Sequence, residues 1–389
     1  MSSLTLDWFQ LVTAAGTLQG VVLAGVLFAQ RSNRTANRLL AVLMLTFTVF
    51  LASSVYYSAG LFQRYPHFFG VAYPTPWLFG PLVYLYAVAA SDRSWHLAPR
   101  HAIHFLPLAI ILILTLPTFL MSGTEKIAMY DRIQRGNTPA IIAALDPLKF
   151  VSGIAYSVAT LLYLRQHRRR IRDSYSNTER VSLGWLLWFS GTAAGIWLLA
   201  TSLNIGAVAS RLRDEHISLA IAVLIYAIGY RGLRQTEIFD YGSATDDAVV
   251  AELAVPQPEL EASAPLYQRS GLTDREAKRL EQKLLDLMDR ETPWKDAELT
   301  LADLARRLES TPHKLSEVLN GQLGQTFYDF VNGYRVREVQ RRIAAGDGRM
   351  FTMLSLALDS GFASKSTFNQ AFKNRTGQTP SAYRKAIAS

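Results

Sequence analysis

Two short stretches near the C-terminus concentrate side chains suited to binding rather than to covalent chemistry. His313, Lys314, Ser316, Glu317 and Asn320 fall in the first, and Ser364, Lys365, Ser366, Asn369, Gln370 and Lys373 in the second. Amide, hydroxyl, imidazole, carboxylate and ammonium groups at helical spacing can hydrogen-bond the edges of base pairs, and the cations can also meet phosphates. Between the stretches lie Arg335, Arg337, Arg341 and Arg342, candidates for phosphate contact. A solvated face or a salt bridge is the competing reading of each arginine. Ser364 and Thr311 have a second reading too, as helix caps whose backbone N–H faces a phosphate.

Covalent chemistry finds less to work with. The 389 residues contain no cysteine, which excludes disulfides, thiolate catalysis and Cys-ligated zinc. No activated nucleophile, metal cluster or phosphate-cradling loop is apparent, so neither an enzymatic activity nor a cofactor or metal is expected. The net charge of +9 points to a polyanionic partner: nucleic acid, anionic lipid or both. Half of the residues are apolar, more than a soluble enzyme of this size usually carries, which directs attention to membrane segments.

The elements that must position the polar stretches can be read from their punctuation. Leu301, Leu304, Ala305 and Leu308 predict an amphipathic helix, with Thr300 as N-cap and Asp303 completing a capping box. Ser310-Thr311-Pro312 breaks it and starts a second helix, with Thr311 as cap and Pro312 at the first position, running to Asn320 and stopping at Gly321. Two short helices joined by a tight turn make a helix-turn-helix unit. The pattern returns 52 residues later, from Leu304-Ala305 to Leu356-Ala357. It closes at Ser360-Gly361 and resumes after Ser364 in a helix carrying Phe368 and Phe372; Leu315 and Phe368 fill equivalent core positions. A long helix, about Thr326 to Ala344, joins the units. At 1.5 Å per residue it is about 28 Å long, close to the roughly 34 Å between successive major-groove faces, so one chain can present two recognition helices to one duplex.

Residues 299–384 resemble the DNA-binding domain of the AraC/XylS family over its length. The resemblance is carried by Leu299-Thr-Leu-Ala-Asp-Leu-Ala305, His313-Lys-Leu-Ser316, Asn332-Gly-Tyr-Arg335, Gly361-Phe362, Ser364-Lys-Ser-Thr-Phe368, Phe372-Lys373, Thr376-Gly377, Thr379-Pro380 and Tyr383-Arg384. Glu309 stands where the first turn often has glycine, and Val339 where the connecting helix usually has alanine. The resemblance implies a transcription regulator, with double-stranded promoter DNA and RNA polymerase as partners. Phe79-Gly-Pro-Leu-Val-Tyr-Leu-Tyr86 and His104-Phe-Leu-Pro107 resemble members of that family that carry a multi-span membrane sensor.

The N-terminal half supplies candidates for such spans at about 8–30, 39–60, 72–91, 102–122, 147–164, 183–204 and 216–232, each near the roughly 20 residues a bilayer core requires. The first lacks the basic start and cleavage site of a signal peptide. With the N-terminus outside, inner loops hold 13 arginines and outer loops seven Lys and Arg, which favours that orientation. Seven crossings then leave the C-terminus in the cytoplasm, where DNA is. Gly16–Gly20 and Gly191–Gly195 are GxxxG pairs, read as close-packing sites rather than as dimer specifiers. Pro74, Pro76 and Pro81, His101 and His104, and Trp185, Trp188 and Trp197 could line a ligand site, although interfacial belts and the tolerance of membrane helices for proline account for such residues better.

The expected architecture is all-α: a seven-helix transmembrane bundle followed by a cytoplasmic double helix-turn-helix domain. Residues 1–235 form the sensor, 236–268 an acidic flexible linker, 269–298 a helical connector and 299–389 the DNA reader. In the connector, Thr273 and Glu276 form a capping box, and Ala277, Leu280, Leu284 and Leu287 a stripe that either seams a homodimer or packs on the domain behind it. The expected function is a one-component regulator in the bacterial inner membrane, answering an unknown signal molecule. The alternative is a transporter or channel with a DNA-tethering tail, against which the charge-free helix centres count.

Overall fold

The computed structural model describes residues 7–31, 33–92, 95–178, 184–205, 218–227 and 272–388; the expected linker lies outside them. Among the described residues the structure is helical, with no strand beyond an isolated bridge between Tyr175 and Thr300. The chain divides into two compact units, Met1–Arg165 with Leu183–Tyr241, and Gln166–Ser182 with Gly242–Ser389. Residues 166–182, expected within the N-terminal domain, thus cluster with the C-terminal one.

The first unit contains α1 (Trp8–Ala29), α2 (Arg34–Ser58), α3 (Pro76–Ser91), α4 (Leu106–Leu120), α5 (Gly123–Gln134), α6 (Ala140–Ser174, of which the part to Arg165 belongs here), α7 (Gly184–Ile205) and α8 (Ser218–Ala227). Four helices are long and apolar enough to cross a membrane: Trp8–Ala29, Arg34–Ser58, Pro99–Leu120 (α4 with the 3-10 turn before it) and Ala140–Ser174. The helices at the third, sixth and seventh expected spans are shorter over their apolar stretches, so seven full-length spans are not what the described residues display. The capped helix α5, between the fourth and fifth expected spans, was not foreseen.

Leu23 and Ala24 of α1, Leu43, Met44 and Leu51 of α2, Leu82 and Leu85 of α3 and Ala222 and Ile225 of α8 form the core of this unit. The helices α1 and α2 approach closely because Gly20 carries no side chain: a Cβ there would overlap the Thr48 hydroxyl. Among the described residues Gly191 and Gly195 meet nothing within 4 Å, whereas the first GxxxG pair packs as expected.

The second unit holds α9 (Asp274–Arg290), α10 (Leu301–Arg307), α11 (Pro312–Gly321), α12 (Phe327–Ala344), α13 (Met353–Asp359), α14 (Lys365–Thr376) and α15 (Pro380–Ala388). It has two cores strung along α12. Phe327, Phe330 and Val331 join Leu304, Ala305, Leu315 and Val318 in the first. Val336, Val339 and Ile343 join Leu356, Ala357, Phe362, Phe368 and Phe372 in the second. Burying each such large apolar side chain stabilises by about 1.5–3 kcal/mol. The stripe of α9 is resolved by this packing: Ala277, Leu280 and Leu284, with Met288, are buried in the first core, and the capping box at Thr273 and Glu276 forms as expected. Leu287, the fourth residue of the expected stripe, is half-buried against the same core, so the stripe packs on the domain behind it.

Candidate nucleic-acid interface

The two helix-turn-helix units are built alike because their local signals are alike. Thr300 caps α10 through the Asp303 N–H, and Thr352 caps α13 through the Ser355 N–H. Both helices end on the same device. The N–H of Ser310 donates to the Ala305 carbonyl at 2.9 Å, and that of Phe362 to Ala357 at 3.0 Å. The residue before each donor is left-handed: Glu309 at φ 52° and Gly361 at φ 86°. Glycine tolerates that conformation without a Cβ penalty, whereas glutamate strains to adopt it. Gly361 is needed for space as well, since a Cβ there would overlap the Trp294 carbonyl oxygen. As expected, α11 ends at Gly321, but that residue is itself helical and the left-handed glycine is Gly324, at φ 62°.

The second candidate helix presents its polar residues as expected by position. Lys365, Ser366, Asn369, Gln370 and Lys373 are all exposed. They lie at i, i+1, i+4, i+5 and i+8, one face of α14, opposite buried Phe368 and Phe372. Ser364 takes its capping role: its Oγ accepts from the Thr367 N–H at 3.1 Å. On α11, His313 is exposed, while Lys314, Ser316, Glu317 and Asn320 are half-buried, and the Asn320 amide donates to the Ser316 Oγ at 3.2 Å.

The arginines of α12 divide three ways. Arg337 is exposed and lies 4.2 Å over the Tyr334 ring. Arg341 is exposed but doubly bonded to the Glu338 carboxylate, at 2.8 and 2.7 Å, and the pairing holds the Glu338 carboxyl below its ordinary range. Arg342 pairs with Asp347 and Asp359.

Arg335 is the correction. Expected at the phosphates, it has 0% exposure. Its Nε donates to the Trp294 carbonyl at 2.7 Å, Nη1 to Asn332 Oδ1 at 3.0 Å, and Nη2 to the Asp296 carbonyl at 2.6 Å and the Ser176 Oγ at 3.2 Å. Burial pushes its pKa down to about 10, still a cation near neutrality. It also lies 5.9 Å over the Phe362 ring, so one guanidinium ties the 294–296 loop to the second core.

Sequence reasoning missed the segment that meets Arg335 from the other side, Arg172–Asn177. The signal there, a cluster of arginines from Arg165 to Arg172, was read as a marker of orientation alone.

A family model described as a helix-turn-helix domain matches residues 304–386. Two curated relatives are each similar to part of this chain. One is the uncharacterized HTH-type transcriptional regulator YtdP of Bacillus subtilis (strain 168), 30% identical over 23% of this chain and 11% of the relative. The other is the uncharacterized HTH-type transcriptional regulator SACOL0084 of Staphylococcus aureus (strain COL), 31% identical over 22% and 11%. The chain thus spans about a tenth of the length of these relatives. No solved structure matches. The C-terminal part of this chain is a helix-turn-helix domain, similar to parts of proteins named as HTH-type transcriptional regulators.

Proposed function

We propose that the protein is a membrane-bound, one-component transcription regulator: it binds promoter DNA through both helix-turn-helix units, under the control of a stimulus received by its N-terminal unit. Base reading is assigned to the exposed face of α14 and to His313, Lys314, Ser316, Glu317 and Asn320 of α11, with Arg337 at phosphate. RNA polymerase is the expected partner at the promoter.

The observation that carries the membrane part is the contact of residues 175–177 with residues 298–300 and 332–335. Arginine counting assigns the 165–182 loop to the cytoplasm. Residues that touch must lie on one side of a bilayer, so the helix-turn-helix domain shares that side. An even number of crossings must then separate residue 177 from residue 272, which two spans at about 183–204 and 216–232 supply. This supports the short seventh helix.

Surface chemistry agrees. Ile113 is 70% exposed, Leu120 77% and Trp188 81%, a poor surface in water and a good one in lipid. Hydroxyls within the helices bond back to their own backbone, as Thr13 does to Phe9, Thr48 to Met44 and Thr115 to Ile111, so few polar groups are left to hydrocarbon. The unit also encloses a cavity of about 790 Å³, lined among others by Tyr57, Tyr73, Phe79, Tyr130, Tyr156 and Trp197. That size suits a small molecule. Asp146 and Lys149 on its wall neutralise each other at 2.9 Å.

The test is genome-wide occupancy of the full-length protein beside a Lys365→Ala, Asn369→Ala double variant. Sharp promoter peaks lost in the variant are expected. Diffuse occupancy indifferent to the variant would mean electrostatic DNA binding only and would overturn the reading.

A further inference from the structure

The segment Arg172–Asn177 is seated on the helix-turn-helix domain by contacts of several kinds. The Ser176 Oγ donates to the Leu299 carbonyl at 2.7 Å and accepts from Arg335 at 3.2 Å. The Ser176 carbonyl accepts from the Asn332 amide at 3.1 Å, and Tyr175 pairs with Thr300 in an antiparallel bridge. The Asn177 amide reaches the Glu298 carboxylate at 3.4 Å. The Arg172 guanidinium lies 4.9 Å over the Tyr328 ring and 3.6 Å from Asp329. Ser176 is 0% exposed and Asn177 7%.

These contacts fall on the junction between the two cores. Arg335 follows the last residue that α12 gives to the first core and precedes the first that it gives to the second. It touches the 294–296 loop on one side and Phe362 on the other. Two cores strung along one helix can rotate about it unless contacts beside the helix hold them, as at Gly361 and Trp294, and reading two half-sites requires that they do not rotate. Ser176 supplies one of the oxygens on the guanidinium that bridges them.

We propose that Arg172–Asn177 is a docking strap, which holds the two helix-turn-helix units in the orientation that reads paired half-sites; its release lowers affinity for DNA. The proposal rests on the regulator reading above and adds its means of control. In the sequence the strap lies between the two segments of the first unit, which ends at Arg165 and resumes at Leu183. A change of shape in that unit therefore reaches Ser176 through the chain itself. The strap is held by few bonds, and its ion pair is half-exposed, so docking and release can lie close in free energy. Its contacts land on the 298–300 loop and on α12, leaving the exposed polar face of α14 for DNA.

The chain has no cysteine, so an Asn177→Cys, Glu298→Cys pair in the full-length protein in lipid nanodiscs reports docking through a short bismaleimide cross-link. The DNA probe is a duplex selected from a random pool by the wild-type protein. Cross-linking is expected without DNA and is expected to increase when the duplex is added. Ser176→Val should weaken duplex binding about tenfold, as one hydrogen-bond set to a charged group is lost. Arg172→Glu should weaken it several-fold, and Arg172→Glu with Asp329→Arg should recover it. Cross-linking the strap in the Arg172→Glu background should also restore affinity, which a merely misfolded variant could not do. Absence of the cross-link with and without duplex, or wild-type affinity in Ser176→Val and Arg172→Glu, would overturn the proposal. A pool that enriches no sequence would instead count against the regulator reading, while the cross-link yield would still show whether the strap docks.

Discussion

The Ser176 Oγ stands 3.2 Å from Nη2 of Arg335, a residue 159 positions later in the chain. A hydroxyl from the loop before the sixth expected span thereby completes the oxygen cage of a buried guanidinium in the connecting helix of the DNA reader. Among the described residues no carboxylate bonds Arg335 directly; two main-chain carbonyls, an amide oxygen and this hydroxyl share its charge. Unpaired burial of such a cation is costly, so the cage must form with the fold.

Arg335 and Arg337 should consequently behave as different residues. Arg335→Lys replaces a planar fork by a point charge and should cost about 2–3 kcal/mol of stability, without changing the salt dependence of DNA binding. Arg337→Ala should leave stability nearly unchanged and lower the slope of log affinity against log salt by about 0.9. Thermal melting and binding titrations across a salt series separate the two. A changed slope in Arg335→Lys would return that residue to the phosphates.

The two left-handed turn residues should respond in opposite directions. Glu309→Gly relieves a strained φ and should stabilise by about 1 kcal/mol. Gly361→Ala meets both the conformational penalty and the Trp294 carbonyl, and should destabilise by about 2 kcal/mol or more. Melting midpoints of the full-length protein decide; equal effects at both sites would show that the turns are not equivalent.

Caps and readers should also separate. Ser364→Ala removes the hydroxyl that accepts from the Thr367 N–H and should cost about 1 kcal/mol while sequence preference is kept. Asn369→Ala on the exposed face should keep stability and relax preference at one base pair, by about 1–3 kcal/mol of discrimination. Competition binding against single-base variants of the selected duplex measures both. Loss of preference in Ser364→Ala would make that hydroxyl a reader.

In the N-terminal unit, Gly20→Val should disrupt the α1–α2 contact, since even a Cβ overlaps Thr48, whereas Gly191→Val should be tolerated. Expression level and melting temperature in detergent give the readout. Equal sensitivity at both glycines would mean that the second pair also packs against a neighbour.

The Glu338–Arg341 pair carries a small pH dependence. The bonded guanidinium lowers the carboxyl pKa in the folded state. Its stabilisation is therefore present above the ordinary carboxylate range and is lost as pH falls through the lowered folded value. Between neutral and acidic pH, wild type should lose slightly more stability than Glu338→Gln, and parallel curves would show the pair to contribute nothing.

Much of the helix-turn-helix domain was legible because its signals are local. Thr300, Thr311 and Ser364 cap the helices they were expected to cap, since a hydroxyl beside the first free N–H groups needs only neighbouring residues. The 52-residue offset between Leu304 and Leu356 likewise follows from repeated short patterns. Glu309 was legible as a departure, and the structure attaches a backbone conformation to it. The helices of the N-terminal half were legible as apolar stretches, while their lengths were not, because hydropathy does not mark where a helix ends.

Contacts distant in the chain were not legible. The stripe of α9 suits a dimer seam or an internal core equally, because an apolar face specifies that it is buried and not against what. Arg335 looks like any cation on a basic helix until the loop at 294–296 and Ser176 close over it. The sequence by itself determined the helical class and the two helix-turn-helix units, through caps, turns and periodicity that act over a few residues. Only the tertiary structure decided which arginine is buried, what α9 packs against, and that residues 172–177 belong to the DNA reader, because burial and hydrogen-bond satisfaction depend on every element that surrounds a group.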